Sequence, residues 1–119
     1  MTTLPPAHLE LTTVDTEDGL RIEIDGDLDH DTSDQLLDTV TAQLAERPGL
    51  GHLHLYCAGL GVTDSMGLSV LLMIRRRTTA ADVQLHLDAR PAVLDRLLEI
   101  TGTFEHLTGD APTGAPRRF

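Results

Sequence analysis

The sequence predicts a single α/β domain in which a mixed, largely parallel sheet of four to five strands carries helices on one face. Three observations predict it. Short stretches of period-two alternation recur between segments of helical periodicity, so strands and helices take turns along the chain. Each strand pattern alternates instead of being apolar throughout, which leaves one sheet face polar and uncovered. The 119 residues have room for one hydrophobic core and little more.

A first strand is expected around Leu9 to Val14, and the next alternates Leu20, Ile22 and Ile24 with Arg21, Glu23 and Asp25. A helix follows over about Ser33 to Glu46, with Leu36, Leu37, Val40 and Leu44 on one side. Thr32 and Gln35 fit a capping box, Asp31 and Asp34 suit the positive end of the helix dipole, and Arg47-Pro48-Gly49 ends the helix. The third strand alternates Leu53, Leu55 and Cys57 with His52, His54 and Tyr56. A second helix, about Ser65 to Thr79, takes Asp64 as its N-cap and turns Leu68, Leu71, Leu72 and Met73 or Ile74 to the core. Arg75, Arg76 and Arg77 fall at its C-terminus, where cations complement the dipole. Val83, Leu85 and Leu87 then alternate with Gln84, His86 and Asp88. A third helix runs from Pro91 through Val93, Leu94, Leu97, Leu98 and Ile100 and stops at Gly102, before a short strand at Phe104 to Leu107. Residues 1–8 read as a flexible N-terminus and 9–107 as the domain. In 108–119, Gly109, Pro112, Gly114 and Pro116 break any periodicity, so this segment reads as a flexible tail.

A formal charge of −10 repels a phosphate backbone or an anionic membrane surface, so neither nucleic acid nor membrane is expected as a direct partner. The lone Cys57 excludes an internal disulfide and reads as a buried structural thiol. No segment approaches the roughly 18 apolar residues that span a bilayer, and Met1 to His8 lacks the features of a secretion signal, so a cytoplasmic protein is expected. No Gly-rich phosphate loop is present, and no cofactor is expected. Among the histidines, His54 and His86 are placed side by side on the open sheet face. Two imidazoles without a third ligand make a poor site, so no metal is expected.

Two segments carry the functional interest: the acid-rich turn Gly26-Asp27-Leu28-Asp29-His30-Asp31-Thr32, and Gly61 to Ser69, leading from a loop after the third strand into the second helix. A serine in the first turn of a helix sets its hydroxyl beside unpaired backbone N–H groups, a ready place for a phosphate, and Ser65 stands there. Asp64 and Ser65 also read simply as helix caps, and the acids of the first segment as a solvated face that stabilises a helix start. Gly67 reads either as room for an approaching partner or as close packing against the first helix.

Together the segments resemble the STAS domain, the fold of bacterial anti-sigma factor antagonists. The matching residues are Gly26-Asp27-Leu28-Asp29 with Thr32, and Asp64-Ser65-Met66-Gly67-Leu68 before an apolar helix. A third match is Arg90-Pro91-Ala92-Val93 through Leu97-Leu98 to Thr101-Gly102. The resemblance implies a non-catalytic protein that binds an anti-sigma factor with serine-kinase activity and is switched off when that kinase phosphorylates Ser65. A serine phosphatase reverses the modification, and the released sigma factor acts in transcription. It further implies a docking surface formed by Asp27, Asp29, His30, Asp31, Thr63, Asp64, Ser65, Met66, Gly67 and Ser69. Met66 departs from the small residue usual after the phosphorylated serine. A bulky thioether there narrows the choice of kinase, removes phosphorylation, or serves as an adaptable apolar contact. Two other readings stay open, a non-phosphorylated STAS scaffold in a signalling complex and a small hydrolase or phosphotransfer enzyme using Asp64 and Ser65. The open sheet face offers a route to a homodimer.

Overall fold

Thr16 and Gly19 close the first turn with reciprocal backbone hydrogen bonds of 3.0 and 3.4 Å, folding β1 (Leu9–Asp15) antiparallel onto β2 (Gly19–Leu28). The computed structural model describes residues 9–109; the flexible segments expected at 1–8 and 108–119 lie outside the described residues except for Thr108, which instead ends a helix, and Gly109, its C-cap. Helix α1 (Ser33–Glu46) leads to β3 (His52–Thr63), which pairs parallel to β2. Helix α2 (Ser65–Ala80) leads to β4 (Gln84–Asp88), parallel to β3, and α3 (Ala92–Ile100) and α4 (Phe104–Thr108) complete the chain. The sheet order is β1-β2-β3-β4, a mixed and largely parallel sheet of four strands.

Alternation decides which face is buried. Leu20, Ile22 and Ile24 of β2, Leu53, Leu55 and Cys57 of β3, and Leu85 and Leu87 of β4 all point to one side and are buried. Against them pack Leu36 and Val40 of α1, Val70, Leu71 and Ile74 of α2, Leu94 and Leu98 of α3, and Phe104 and Leu107 of α4. Each such side chain removed from water contributes about 1.5–3 kcal/mol. The other face carries Arg21, Glu23, His52, His54, Tyr56, His86 and Asp88 and, among the described residues, has no helix over it. Cys57 is buried, and that burial pushes its thiol up to about 12, an unreactive structural group.

Several local expectations need correction. Phe104 to Leu107 is helical, because its two apolar residues stand three apart and both are buried, a spacing that fits a helical turn and not a strand. Thr32 makes no side-chain cap bond. Its hydroxyl instead donates to the Asp27 carbonyl at 2.7 Å and accepts from the Asp29 N–H at 2.9 Å, while Gln35 Nε2 donates to the Leu9 carbonyl at 3.2 Å. Both strands flanking the supposed loops run further than expected: β2 includes Gly26 to Leu28 and β3 includes Gly61 to Thr63. The β2–β3 register slips between Glu23 and Asp25 and again between Gly26 and Leu28, so the alternation in β3 breaks although the pairing continues. Of the alternatives Met73 or Ile74, Ile74 takes the core position and Met73 is exposed, while Val93 and Ile100 of α3 are exposed against expectation. Pro91 is the N-cap of α3 and not its first residue, and α2 continues past the arginines to Ala80, leaving only Arg77 in its last turn.

Candidate functional site

The ends of β2 and β3 meet through the pairing of Leu28 with Thr63, which brings the two segments singled out in the sequence to one edge of the molecule. Asp64 joins them. Its backbone N–H donates to the Leu28 carbonyl at 3.2 Å, one carboxylate oxygen accepts the Gly67 N–H at 2.9 Å as the α2 N-cap, and the other accepts the His30 N–H at 3.3 Å. The Gly67 N–H bond holds its carboxyl below the usual range, against an opposing effect of burial, with further help from the His30 and Met66 amides and the His30 ring. A carboxylate occupied in this way is a weak proton acceptor and a poor general base.

Ser65 begins α2 and is exposed, and its hydroxyl makes no hydrogen bond among the described residues. Met66 beside it is 49% exposed, and Ser69 stands exposed one turn further on. Gly67 is buried, and a Cβ there would overlap the Leu28 carbonyl, so this glycine is required by contact with the tip of β2 and not with α1. Thr63 is half-buried, with an Oγ1 that is buried and unpartnered among the described residues.

On the facing loop, Asp27 and Asp29 are structural as well as acidic. Asp27 Oδ1 accepts the Val62 N–H at 2.8 Å across the slipped pairing. Asp29 Oδ1 accepts the Asp31 N–H at 2.9 Å and folds the loop. His30 and Asp31 are left exposed, with His30 Nδ1 3.8 Å from Asp64 and its Nε2 3.4 Å from Asp31. Asp29, His30 and Asp31 each present a donor atom within 4.8 Å of the others, an arrangement that exposed acidic loops commonly have without an ion. The whole set expected from the sequence is thus gathered at one edge, with Ser65, Met66, Ser69, His30 and Asp31 facing outward and Thr32, Gly67, Asp27 and Asp29 shaping the frame.

Sequence reasoning missed an apolar groove of about 440 Å³ beside this edge, between Val62 and Thr63 of β3 and Val93, Leu97 and Ile100 of α3, with Asp27 at its rim. The signal was present. Helical residues turn about 100° per position, so Leu94 and Leu98 form one stripe, buried in the core, while Val93, Leu97 and Ile100 form a second that looks outward.

The family model described as "Mlab, STAS domain" matches residues 11–108. Among solved structures, an anti-sigma factor antagonist from Mycobacterium paratuberculosis superposes with a TM-score of 0.73 at 19% identity, covering 92% of this chain and 91% of that one. The anti-sigma factor antagonist SpoIIAA in its unphosphorylated form gives 0.67 at 19% identity, over 89% of this chain and 90% of that one. The phosphorylated form of the Bacillus cell fate determinant SpoIIAA gives 0.63 at 19% identity, over 89% and 93%. A structure of Mglu matches at 0.60 and 20% identity over 68% of this chain, which spans only 19% of the Mglu chain. At these identities the structural likeness is one of fold.

Proposed function

The chain belongs to the STAS domain family, and on that premise we propose that it is an anti-sigma factor antagonist, binding an anti-sigma factor that is also a serine kinase and switched off by phosphorylation at Ser65. Membership makes it a binding and regulatory domain, not an enzyme. The observation that carries the switch is the free Ser65 hydroxyl, exposed at the first residue of α2 beside the Asp64 carboxylate and the His30-Asp31 loop. SpoIIAA, which shares the fold, is known in both phosphorylated and unphosphorylated forms.

A phosphate on Ser65 adds roughly −1.5 to −2 charges. The N-terminal end of α2 accommodates that charge internally, so the core stays as it is and the effect falls on the partner. Against an acid of the partner about 6 Å away, repulsion at an effective dielectric of about 40–80 amounts to roughly 1–3 kcal/mol, and about 1.4 kcal/mol is tenfold in affinity. Asp27, Asp29, His30, Asp31, Thr63, Asp64, Met66, Gly67 and Ser69 form the docking edge in this reading. A serine phosphatase resets the switch in the cytoplasm, where a sigma factor is set free for transcription.

The test is to measure binding of candidate anti-sigma kinases to the protein and its Ser65 variants, with mass spectrometry after incubation with kinase and ATP. Ser65→Ala should bind about tenfold or more tightly than Ser65→Asp, and phosphate should map to Ser65. Equal affinity of the two variants, or phosphate on another residue, removes the switch. A second reading, a non-phosphorylated STAS scaffold in a signalling complex, is favoured by the exposed Met66 thioether after Ser65. Tight binding of a partner to both variants is its expected signature.

A further inference from the structure

We propose that the uncovered face of the sheet holds a binding site for a divalent d-block cation of the zinc class, formed by the imidazoles of His52, His54 and His86. His52 and His54 are two residues apart on β3 and so leave the same face, and His86 of β4 stands opposite His54 in the parallel register. The expectation of no metal rested on two imidazoles without a third. His52 supplies it.

Size is the first argument. The ring centres are 4.4 Å apart for His54 and His86, 5.2 Å for His52 and His86, and 6.2 Å for His52 and His54. Two imidazoles bound through nitrogen at about 2.0–2.1 Å to one tetrahedral zinc ion have their centres about 5 Å apart. The rings are stacked, with interplanar angles of 13–23°, so their nitrogens do not yet converge on one point, and a cation closes the site by turning the rings about positions already spaced for it.

Donor chemistry is the second. His52 Nδ1 and His86 Nε2 face each other at 2.9 Å, one ring's N–H donating to the other's lone pair, and once that proton moves to the far nitrogen of its ring a small parting of the two leaves both lone pairs open to a cation. His54 has Asp88 at 2.8 Å from Nδ1 and Asp18 at 3.1 Å from Nε2. Turning one nitrogen inward while the other keeps its carboxylate produces the carboxylate–histidine–metal arrangement that orients a ligand and raises its basicity. Imidazole donors suit zinc, copper, nickel and cobalt and not calcium or magnesium.

The charged groups facing the cluster are Asp18 from the β1–β2 turn, Arg21 and Glu23 from β2, and Asp88 from β4. Arg21 is paired with Glu23 at 2.9 Å, which leaves the two aspartates to offset an added cation. The cluster lies toward the start of β3, roughly 30 Å of strand from Ser65 at about 3.3 Å per residue, so loading it is independent of the docking edge.

The experiment titrates zinc alone into the untagged, metal-stripped full chain, followed by calorimetry and by the imidazole proton resonances, with circular dichroism to verify the fold of each variant. One equivalent is expected, with shifts at His52, His54 and His86. Affinity should fall about tenfold or more in His52→Ala and in His86→Gln. It should be unchanged in His30→Ala. No saturable binding by about 0.1 mM zinc, undiminished binding in folded His86→Gln, or loss of binding in His30→Ala would each overturn the proposal.

Discussion

Two opposing rules meet at Gly67. In an ordinary helix, replacing glycine by alanine gains about 1 kcal/mol, but here the new methyl would overlap the Leu28 carbonyl and come within 3.0 Å of Thr63 Cγ2. Overpacking costs about 1–3 kcal/mol, and because the obstacle is backbone the steric term wins. Gly67→Ala should therefore lower the urea midpoint, and a raised midpoint would mean that the strand tip yields. Asp64 gives a second prediction at this scale. Its carboxyl is held low chiefly by the Gly67 N–H, so its contribution to stability is present above the reference value of 3.8 and is lost as pH falls through the lower folded value. Asp64→Asn, which retains an oxygen to cap the helix, should flatten the acid limb of the stability profile below about pH 4. A limb identical to that of the parent would assign the titration elsewhere. The Asp64 cap was legible in the sequence because N-cap chemistry is local. The bond from Val62 to Asp27 was not, since the pairing of two distant strand ends creates it.

Helix α3 divides its apolar residues between two purposes, and substitution should separate them. Truncating Leu94 or Leu98 to alanine is expected to cost about 2–5 kcal/mol, whereas Val93→Ser and Ile100→Ser should stay within about 0.5 kcal/mol. Comparable losses from both stripes in chemical denaturation would place the outer one in the core. The β3–β4 pair has its own pH signature. Burial opposes charge on His54, but its hydrogen bonds to Asp18 and Asp88 outweigh this and raise its pKa above 6.5. Its stabilisation is thus full below 6.5 and lost as pH rises through the folded value. His86 is shifted down by burial and by the charges of His54 and His52, so its contribution is present above 6.5 and lost as pH falls. Resonance titrations of the two rings should diverge in those directions, and coincident midpoints would count against the coupling. The helices and the inward residues of β2, β3 and β4 were legible because their periodicity is sustained over many residues. The tails of β2 and β3 were hidden by the slips in register, and α4 by being a single turn long.

Across the whole molecule, acids outnumber bases 19 to 9, and the resulting self-repulsion works against compaction. Raising ionic strength from about 0.01 M to about 0.15 M shortens the screening length from about 30 Å to about 8 Å. The thermal midpoint should therefore rise over that range, and a flat or falling midpoint would indicate that local pairs such as Arg47 with Asp15 and Arg90 with Asp95 outweigh the long-range term. Fold class was readable from alternation alone. The shape of the edge around Ser65 was not, and the reason is that bonds between distant segments hold it: the side chains of Asp27, Thr32 and Asp64 on the main chain of Val62, Asp27, Asp29 and His30, the Asp64 amide on the Leu28 carbonyl, and a glycine that admits no side chain. A surface pinned from within in this way keeps its contour when its outward residues mutate. On the docking reading proposed above, His30, Asp31, Met66 and Ser69 are in that sense interchangeable lettering on a fixed plate, and changing them alters what is addressed while the scaffold underneath stays constant.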